Sequence, residues 1–258
     1  MHATLVIPTL NEGKSIGHVL RTFRTAADSA NTTLFKGDPV TWEILVVDGQ
    51  STDDTAANAR AGGAVVINEP RKGYGRAYRT GFAAATGEYI ATLDGDATYP
   101  AENLPELLRY LIDHQLDFLS GDRLEQLDRR SMTTEHRIGN WWLNYVIRVA
   151  YHRYLREVPG HRMRDSQSGM WVFRRSILEH LRITQDGMPL SEEVKLEVLI
   201  RGFRFGEVPI RYAERWGPPK LSSWRDGRHN LTFLFAKRVR LQREIRSAPP
   251  LPRPEGSD

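Results

Sequence analysis

The first half of the chain alternates short apolar runs with segments whose apolar residues recur at helical spacing. Residues 4–7, 43–47, 64–67 and 89–93 are runs of the kind a strand buried on both faces requires, and Phe118-Leu119 centres a fifth. Pro8 is the expected end of the first run. Between the runs, Ile16, Val19, Leu20 and Phe23 mark one face of a helix with Ser15 as its cap. Ser51-Thr52-Asp53-Asp54 opens a helix reaching Arg60, with its acids at the positive end of the dipole. Helices are also predicted over 75–85 and 100–114. Strands separated by helices predict an α/β fold with a mixed, mainly parallel sheet flanked by helices and right-handed crossovers. The second half predicts an aromatic-rich helix over 135–156, a strand over 171–173, a helix over 190–200, a strand over 205–209 and a basic helix over 225–246. With neither an internal repeat nor a linker, residues 1–246 read as a single domain. The proline-rich segment 247–258 reads as a disordered tail.

Composition narrows the class. The 258 residues are 40% apolar and 26% charged, which argues against global disorder. With no cysteine, disulfides, thiolate zinc sites and cysteine catalysis are excluded. No run approaches the ~20 apolar residues of a membrane helix, and Met1-His2-Ala3-Thr4 is not the basic start of a signal peptide. The expected location is the cytoplasm, with any membrane contact peripheral and at the inner face. The net charge of +4 suits anionic partners without choosing among them. The 8 histidines are scattered without metal-site spacing, so no zinc is expected. The basic C-terminal helix lacks a zinc-finger or RNP motif, so no nucleic-acid partner is expected.

The chemistry concentrates at strand ends. Leu93-Asp94-Gly95-Asp96 follows a buried strand directly, where ligands sit in open α/β sheets. Alternate carboxylates on such a turn can hold a hard divalent cation together with a diphosphate; an Asp-Gly-Asp is also an ordinary turn sequence. Two more strands end in polar turns, Pro8-Thr9-Leu10-Asn11-Glu12 and Asp48-Gly49-Gln50-Ser51-Thr52-Asp53. Arg71-Lys72-Gly73-Tyr74-Gly75-Arg76 is a basic, glycine-rich loop opening a helix, which suits a phosphate. It is not a Walker loop, and the first strand lacks a Rossmann fingerprint, which disfavours hydride transfer.

These three turns, with Ser120-Gly121-Asp122-Arg123, Asp165-Ser166-Gln167-Ser168-Gly169 and Arg215-Trp216-Gly217-Pro218-Pro219-Lys220, resemble the GT-A inverting glycosyltransferases of family 2, in particular the dolichol-phosphate (polyprenyl-phosphate) sugar synthases. The resemblance spans residues 3–227. It implies a nucleotide-binding half over 1–125 and an acceptor half over 126–246. It implies that Pro8, Leu10, Glu12 and Val47 line the nucleoside pocket, with Asp48, Lys72 and Gly95 also on the nucleotide. Asp94 and Asp96 would hold Mg²⁺ or Mn²⁺ and the diphosphate, with Thr98 an added ligand. Arg123, Gln167, Ser168, Arg215 and Lys220 would meet donor or acceptor phosphates. Gly49 stands where the family often has an aspartate that reads the base, which leaves UDP- and GDP-sugars both open. The Arg215-to-Lys220 spacing is one residue shorter than the commoner pattern.

The expected activity is metal-dependent, inverting transfer of a hexose to a polyprenyl or dolichyl phosphate. A soluble or glycan hydroxyl acceptor is the alternative within the fold. A nucleotidyltransferase is the reading from a different enzyme class, and a membrane-peripheral nucleotide-sugar-binding protein with lost catalysis is the non-enzyme reading. A hydroxyl acceptor requires a general base, whereas a lipid phosphate is already anionic. Asp165 is the first candidate for base or acceptor-positioning group and Glu193 the second; the plainer reading of Glu193 is a helix start capped by Ser191. Trp141-Trp142, with Tyr145, Tyr151, Tyr154 and flanking arginines, suits a helix in the headgroup zone, and Phe233-Leu234-Phe235 with its lysine and arginines adds to it. The competing readings of those aromatics are core or a homodimer interface.

Overall fold

The computed structural model describes residues 1–125, 134–155, 162–216 and 223–247. Seven strands form one sheet: β1 (His2–Thr9), β2 (Thr41–Asp48), β3 (Val65–Asn68), β4 (Tyr89–Thr92), β5 (Phe118–Asp122), β6 (Trp171–Arg174) and β7 (Phe205–Pro209). Their order is β3-β2-β1-β4-β6-β5-β7. All neighbours are parallel except β6, which runs antiparallel to both β4 and β5. The mixed, mainly parallel sheet of the sequence reading is the one found.

Helices cover both faces, so the inner strands are apolar on both sides; β3, read from the sequence as buried on both faces, is an edge strand and leaves Val65 exposed. Alternation along each strand sorts the core into two layers. Leu5, Ile7, Ile44, Val46, Leu119 and Val172 face α1 (Ile16–Thr33), α2 (Thr55–Ala61) and α4 (Leu104–Asp113). Val6, Leu45, Val47, Phe118, Trp171, Phe173 and Phe205 face α3 (Tyr74–Ala84), α5 (Thr134–Tyr151), α6 (Leu190–Ile200) and α7 (Ser223–Ser247).

Four local departures from the sequence reading have physical causes. β1 continues past Pro8 to Thr9, pairing with β2. β4 stops pairing at Thr92 opposite Val6, so no strand there needs the donor that proline lacks. Ser15 occupies the N-cap position of α1 without capping it; its hydroxyl donates to the carbonyls of Glu12 and Gly95, tying the helix start to the acidic turn. The second helix begins at Thr55 because Asp53 accepts from the Thr55 N–H and the Gly13 N–H, making residues 51–54 a turn. α5 ends at Tyr151, whose hydroxyl donates to the Leu234 carbonyl of α7; Arg156 and residues 248–258 lie outside the described residues.

α3 reaches the sheet closely because of a glycine. A Cβ at Gly81 would run into a Val6 methyl and lie 3.2 Å from Val47 Cγ2. Overpacking of this kind costs about 1–3 kcal/mol, more than the helix propensity alanine brings. Gly81→Ala is expected to lower stability in urea unfolding, and Val6→Ala is expected to restore part of that loss. Equal stability of Gly81→Ala and wild type would refute the close approach.

Candidate active site

The turns after β1, β2 and β4 meet at one rim of the sheet, and each holds a non-glycine residue in the left-handed region: Asn11 (φ 51°), Gln50 (φ 68°) and Ala97 (φ 64°). Such strain persists only where surroundings over-determine it. Here the first two turns interlock. The Asn11 N–H donates to Ser51 Oγ at 2.8 Å, the Thr52 N–H donates to Asn11 Oδ1 at 2.8 Å, and the Glu12 N–H donates to Thr55 Oγ1 at 2.8 Å.

The acidic turn is held from four sides. Asp94 Oδ1 accepts from the hydroxyls of Tyr74 at 3.2 Å and Tyr78 at 3.3 Å, both on α3. Burial, and next the like charge of Asp96, push Asp94 up to about 7 against those hydrogen bonds. Asp96 Oδ1 accepts from the Thr98 N–H and hydroxyl, and its Oδ2 lies 2.9 Å from Arg215 Nη1. The Gly95 carbonyl accepts from Ser15. Arg215 also pairs with Glu12, so one guanidinium bridges two strand ends. Its segment is tied down by backbone bonds from Ala213 to Thr98 and from Trp216 to Asp96, and Trp216 stacks on His18 of α1 at 4.8 Å.

A second cation stands beside this turn. Arg123, directly after β5, makes a forked ion pair with Asp165, with Nε–Oδ2 at 2.7 Å and Nη2–Oδ1 at 2.9 Å, and lies over the Tyr212 ring. Asp165 is fully buried. Burial alone would raise it, but the Arg123 charge and hydrogen bonds, helped by Lys195, hold it down at about 2. Gln167 donates its N–H to Asp165 and its side-chain amide to Glu192 on α6, and accepts from Asn230 on α7.

Several predicted residues serve the framework rather than an open surface. Val47 is wholly buried and packs toward α3, so it cannot line a nucleoside pocket; Pro8 is also buried, while Leu10 is exposed. Asp48 accepts from the Ser51 N–H and hydroxyl and holds its own turn. The Thr98 hydroxyl donates to Asp96 and orients it. Ser168 is buried, its carbonyl accepting from the Trp171 indole. Glu193 accepts from both the N–H and hydroxyl of Thr184 and from the Gln185 N–H, and Ser191 makes no cap bond to α6. The loop so held reaches α3 through Asp186, which pairs with Arg76 and Arg79 close to exposed Lys72. Lys220 lies outside the described residues.

The sequence reading passed over Tyr74 and Tyr78, whose spacing of one helical turn after the basic loop was the available signal. It read Glu192 only as an acid at a helix start, and it passed over Lys195. Among the described residues, no three acidic or histidine side chains group as a metal cage. A divalent cation there would rest on Asp94 and Asp96 and need phosphate oxygens to complete it, the usual arrangement for Mg²⁺. In the structure the charge of Asp96 is met by the Arg215 guanidinium, the position such a cation would share or take over.

The model of the family described as Glycosyl transferase family 2 matches residues 4–182. The chain belongs to that family. This glycosyltransferase is 33% identical over 234 residues to the low-salt glycan biosynthesis hexosyltransferase Agl6 of Haloferax volcanii, covering 90% of the chain but only about half (52%) of that relative. It is 33% identical over 223 residues to the dolichyl-phosphate hexose transferase of the same organism, covering 86% of the chain and 88% of the relative. In fold it is similar to glucosyl-3-phosphoglycerate synthase from Mycobacterium tuberculosis in complex with UDP, with a TM-score of 0.70, 18% identity, and coverage of 92% of this chain and 80% of that one. Another structure of that synthase, with Mn²⁺, UDP and glucosyl-3-phosphoglycerate, has a TM-score of 0.67 at 19% identity over 92% of this chain and 79% of that one.

Glu192 generates a test of the site's electrostatics. Burial pushes this carboxyl from 4.5 up to about 8, against the Gln167 hydrogen bond and the Lys195 charge. Between those values the folded chain holds a proton that the unfolded chain has lost, so this group erodes stability as pH rises through the window. Glu192→Gln removes the titration. Its stability relative to wild type is expected to rise between about pH 5 and about pH 8, by at most about 1.4 kcal/mol per pH unit. Urea unfolding across that range measures it, and a difference independent of pH would refute the neutral buried acid.

Proposed function

We propose that this glycosyltransferase moves a hexose, with inversion, from a UDP- or GDP-sugar to a polyprenyl or dolichyl phosphate. The observation that carries the acceptor class is the state of Asp165. A carboxylate held at about 2 by a forked guanidinium is a poor proton acceptor. Glu193 is engaged by three donors. Neither is poised to deprotonate a hydroxyl, and a phosphate nucleophile asks for no base. The relative named as a dolichyl-phosphate hexose transferase points the same way.

In this reading Asp94 and Asp96 hold Mg²⁺ or Mn²⁺, which when bound supplies electrostatic stabilisation of the departing diphosphate. Tyr74 and Tyr78 keep Asp94 aimed, and Thr98 does so for Asp96. Glu12 and Leu10 border the nucleoside, with Lys72 beside the diphosphate. Arg123 and Arg215 are the planar, always-charged groups that match phosphate oxygens in pairs. Arg123 is preset by Asp165, so little reorganisation accompanies its use. A panel of UDP- and GDP-sugars offered with Mg²⁺ or Mn²⁺ to a short polyprenyl phosphate tests the reading by formation of glycolipid. Asp96→Asn is expected to cut turnover by about 100-fold or more and to weaken Mn²⁺-dependent nucleotide binding without loss of fold. Product from hydroxyl acceptors alone, or activity indifferent to EDTA, would overturn it.

Such an acceptor places the enzyme at a membrane surface. Among the described residues no helix is long and apolar enough to cross one. Trp141 is 59% and Trp142 53% exposed, with Tyr145 and Val149 continuing the stripe along α5, while Leu143, Ile147 and Tyr151 form its buried face. The tryptophans are therefore not core. On α7, Phe235 and Val239 are exposed beside Arg240 and Arg243. Exposed rings with flanking arginines fit peripheral contact with anionic headgroups. Trp141→Ser with Trp142→Ser is expected to reduce cosedimentation with anionic liposomes and turnover of long-chain acceptors while sparing short ones. Unchanged liposome binding together with loss of a dimer in sedimentation would assign the stripe to self-association instead.

A further inference from the structure

Behind the Arg123–Asp165 pair lies a buried lysine that the core does not require. Lys195 sits on α6 among Val194, Leu196, Val198 and Leu199 and is fully buried. Its amine donates to the Asp165 backbone carbonyl and lies 3.8 Å from Glu207 Oε1 on β7. Glu207 accepts from the Arg164 N–H at 2.5 Å and, more loosely, from the Asp165 N–H at 3.3 Å. The backbone of Asp165 is thus gripped at both ends, its N–H side by Glu207 and its carbonyl by Lys195. Its side chain then accepts from the Arg123 N–H, Nε and Nη2.

A buried ion pair is weak support for stability, because desolvating two charges offsets their attraction, and apolar residues of similar size often do better. Burial pulls Lys195 down and pushes Glu207 up to about 8, which expresses that cost. The pair is well suited to geometry instead: it fixes the one segment that carries the counter-ion of a site arginine.

We propose that Lys195 and Glu207 are positioning residues that set the direction of the Arg123 guanidinium through the backbone of Asp165. The mechanical part of this proposal stands alone. Its consequence for turnover rests on the reading of Arg123 as a phosphate contact.

Two readouts separate these parts. The first is exchange of the Arg123 Nε–H, followed by NMR in ¹⁵N-labelled protein and assigned with Arg123→Lys. Wild type is expected to exchange slowly, and Lys195→Met to exchange at least about 10-fold faster with the other arginine signals unmoved. Glu207→Gln keeps an acceptor oxygen but loses the charge. It is expected to shift exchange in the same direction by less, and it carries the test if Lys195→Met fails to fold. The second readout is kinetic. Lys195→Met is expected to lower kcat/KM about 10- to 100-fold, the scale of a small misplacement of a site group. Added to Asp165→Asn, it is expected to cost little further, because both act along one chain of contacts. Unchanged Arg123 exchange in a folded variant overturns the proposal, as do losses that multiply in the double variant. If wild type transfers no sugar under any condition, the functional reading falls while the exchange measurement still decides the positioning.

Discussion

Two carboxylates of like charge, Asp94 and Asp96, stand at the end of a buried strand, and the groups around them answer that constraint. Left alone, both could not remain ionised in such a place. The fold divides the problem. Asp94 is raised toward neutrality and accepts from two tyrosines of α3, while Asp96 is matched by the Arg215 guanidinium. Ser15 pins the peptide between them to the start of α1. Helices on opposite faces of the sheet thus meet at one turn, and α3 lies close enough to the sheet to need Gly81.

The same logic repeats beside the acidic turn with the charges reversed. Arg123 leaves β5 as a cation at a buried strand end, and Asp165 is the anion that balances it. Balancing has a chemical consequence, since an aspartate committed to a guanidinium gives up basicity. With Asp165 holding a cation and Glu193 holding a loop, the two candidate bases are both engaged, which favours the proposed nucleophile that arrives already charged. The acceptor class and the electrostatics of the framework are therefore one question.

Much of this was legible in the chain. The strands could be read because a sheet covered on both faces demands continuous apolar runs, and the acidic, basic and amide-rich turns could be read because they follow those runs directly. The aromatic stripe of α5 was visible, as was its ambiguity between core and surface. That was settled by packing: Leu143, Ile147 and Tyr151 join the buried cluster between the sheet, α6 and α7, while Trp141 and Trp142 stay exposed.

By itself the sequence determined the α/β class, the order of elements and the family, because periodicity and strand-end motifs are local. It did not determine which side chains at the rim are structural. Val47 and Thr98 look like site residues in a motif, yet one is core and the other orients Asp96. Asp165 looks like a base until Arg123, 42 residues away in sequence, is laid against it. Lys195 and Glu207 carry no motif at all. The antiparallel insertion of β6 between β4 and β5 brings the Asp165 loop beside Asp94 and Arg123. Partnerships of charge depend on distance in space, and only the packed sheet and its helices set that distance.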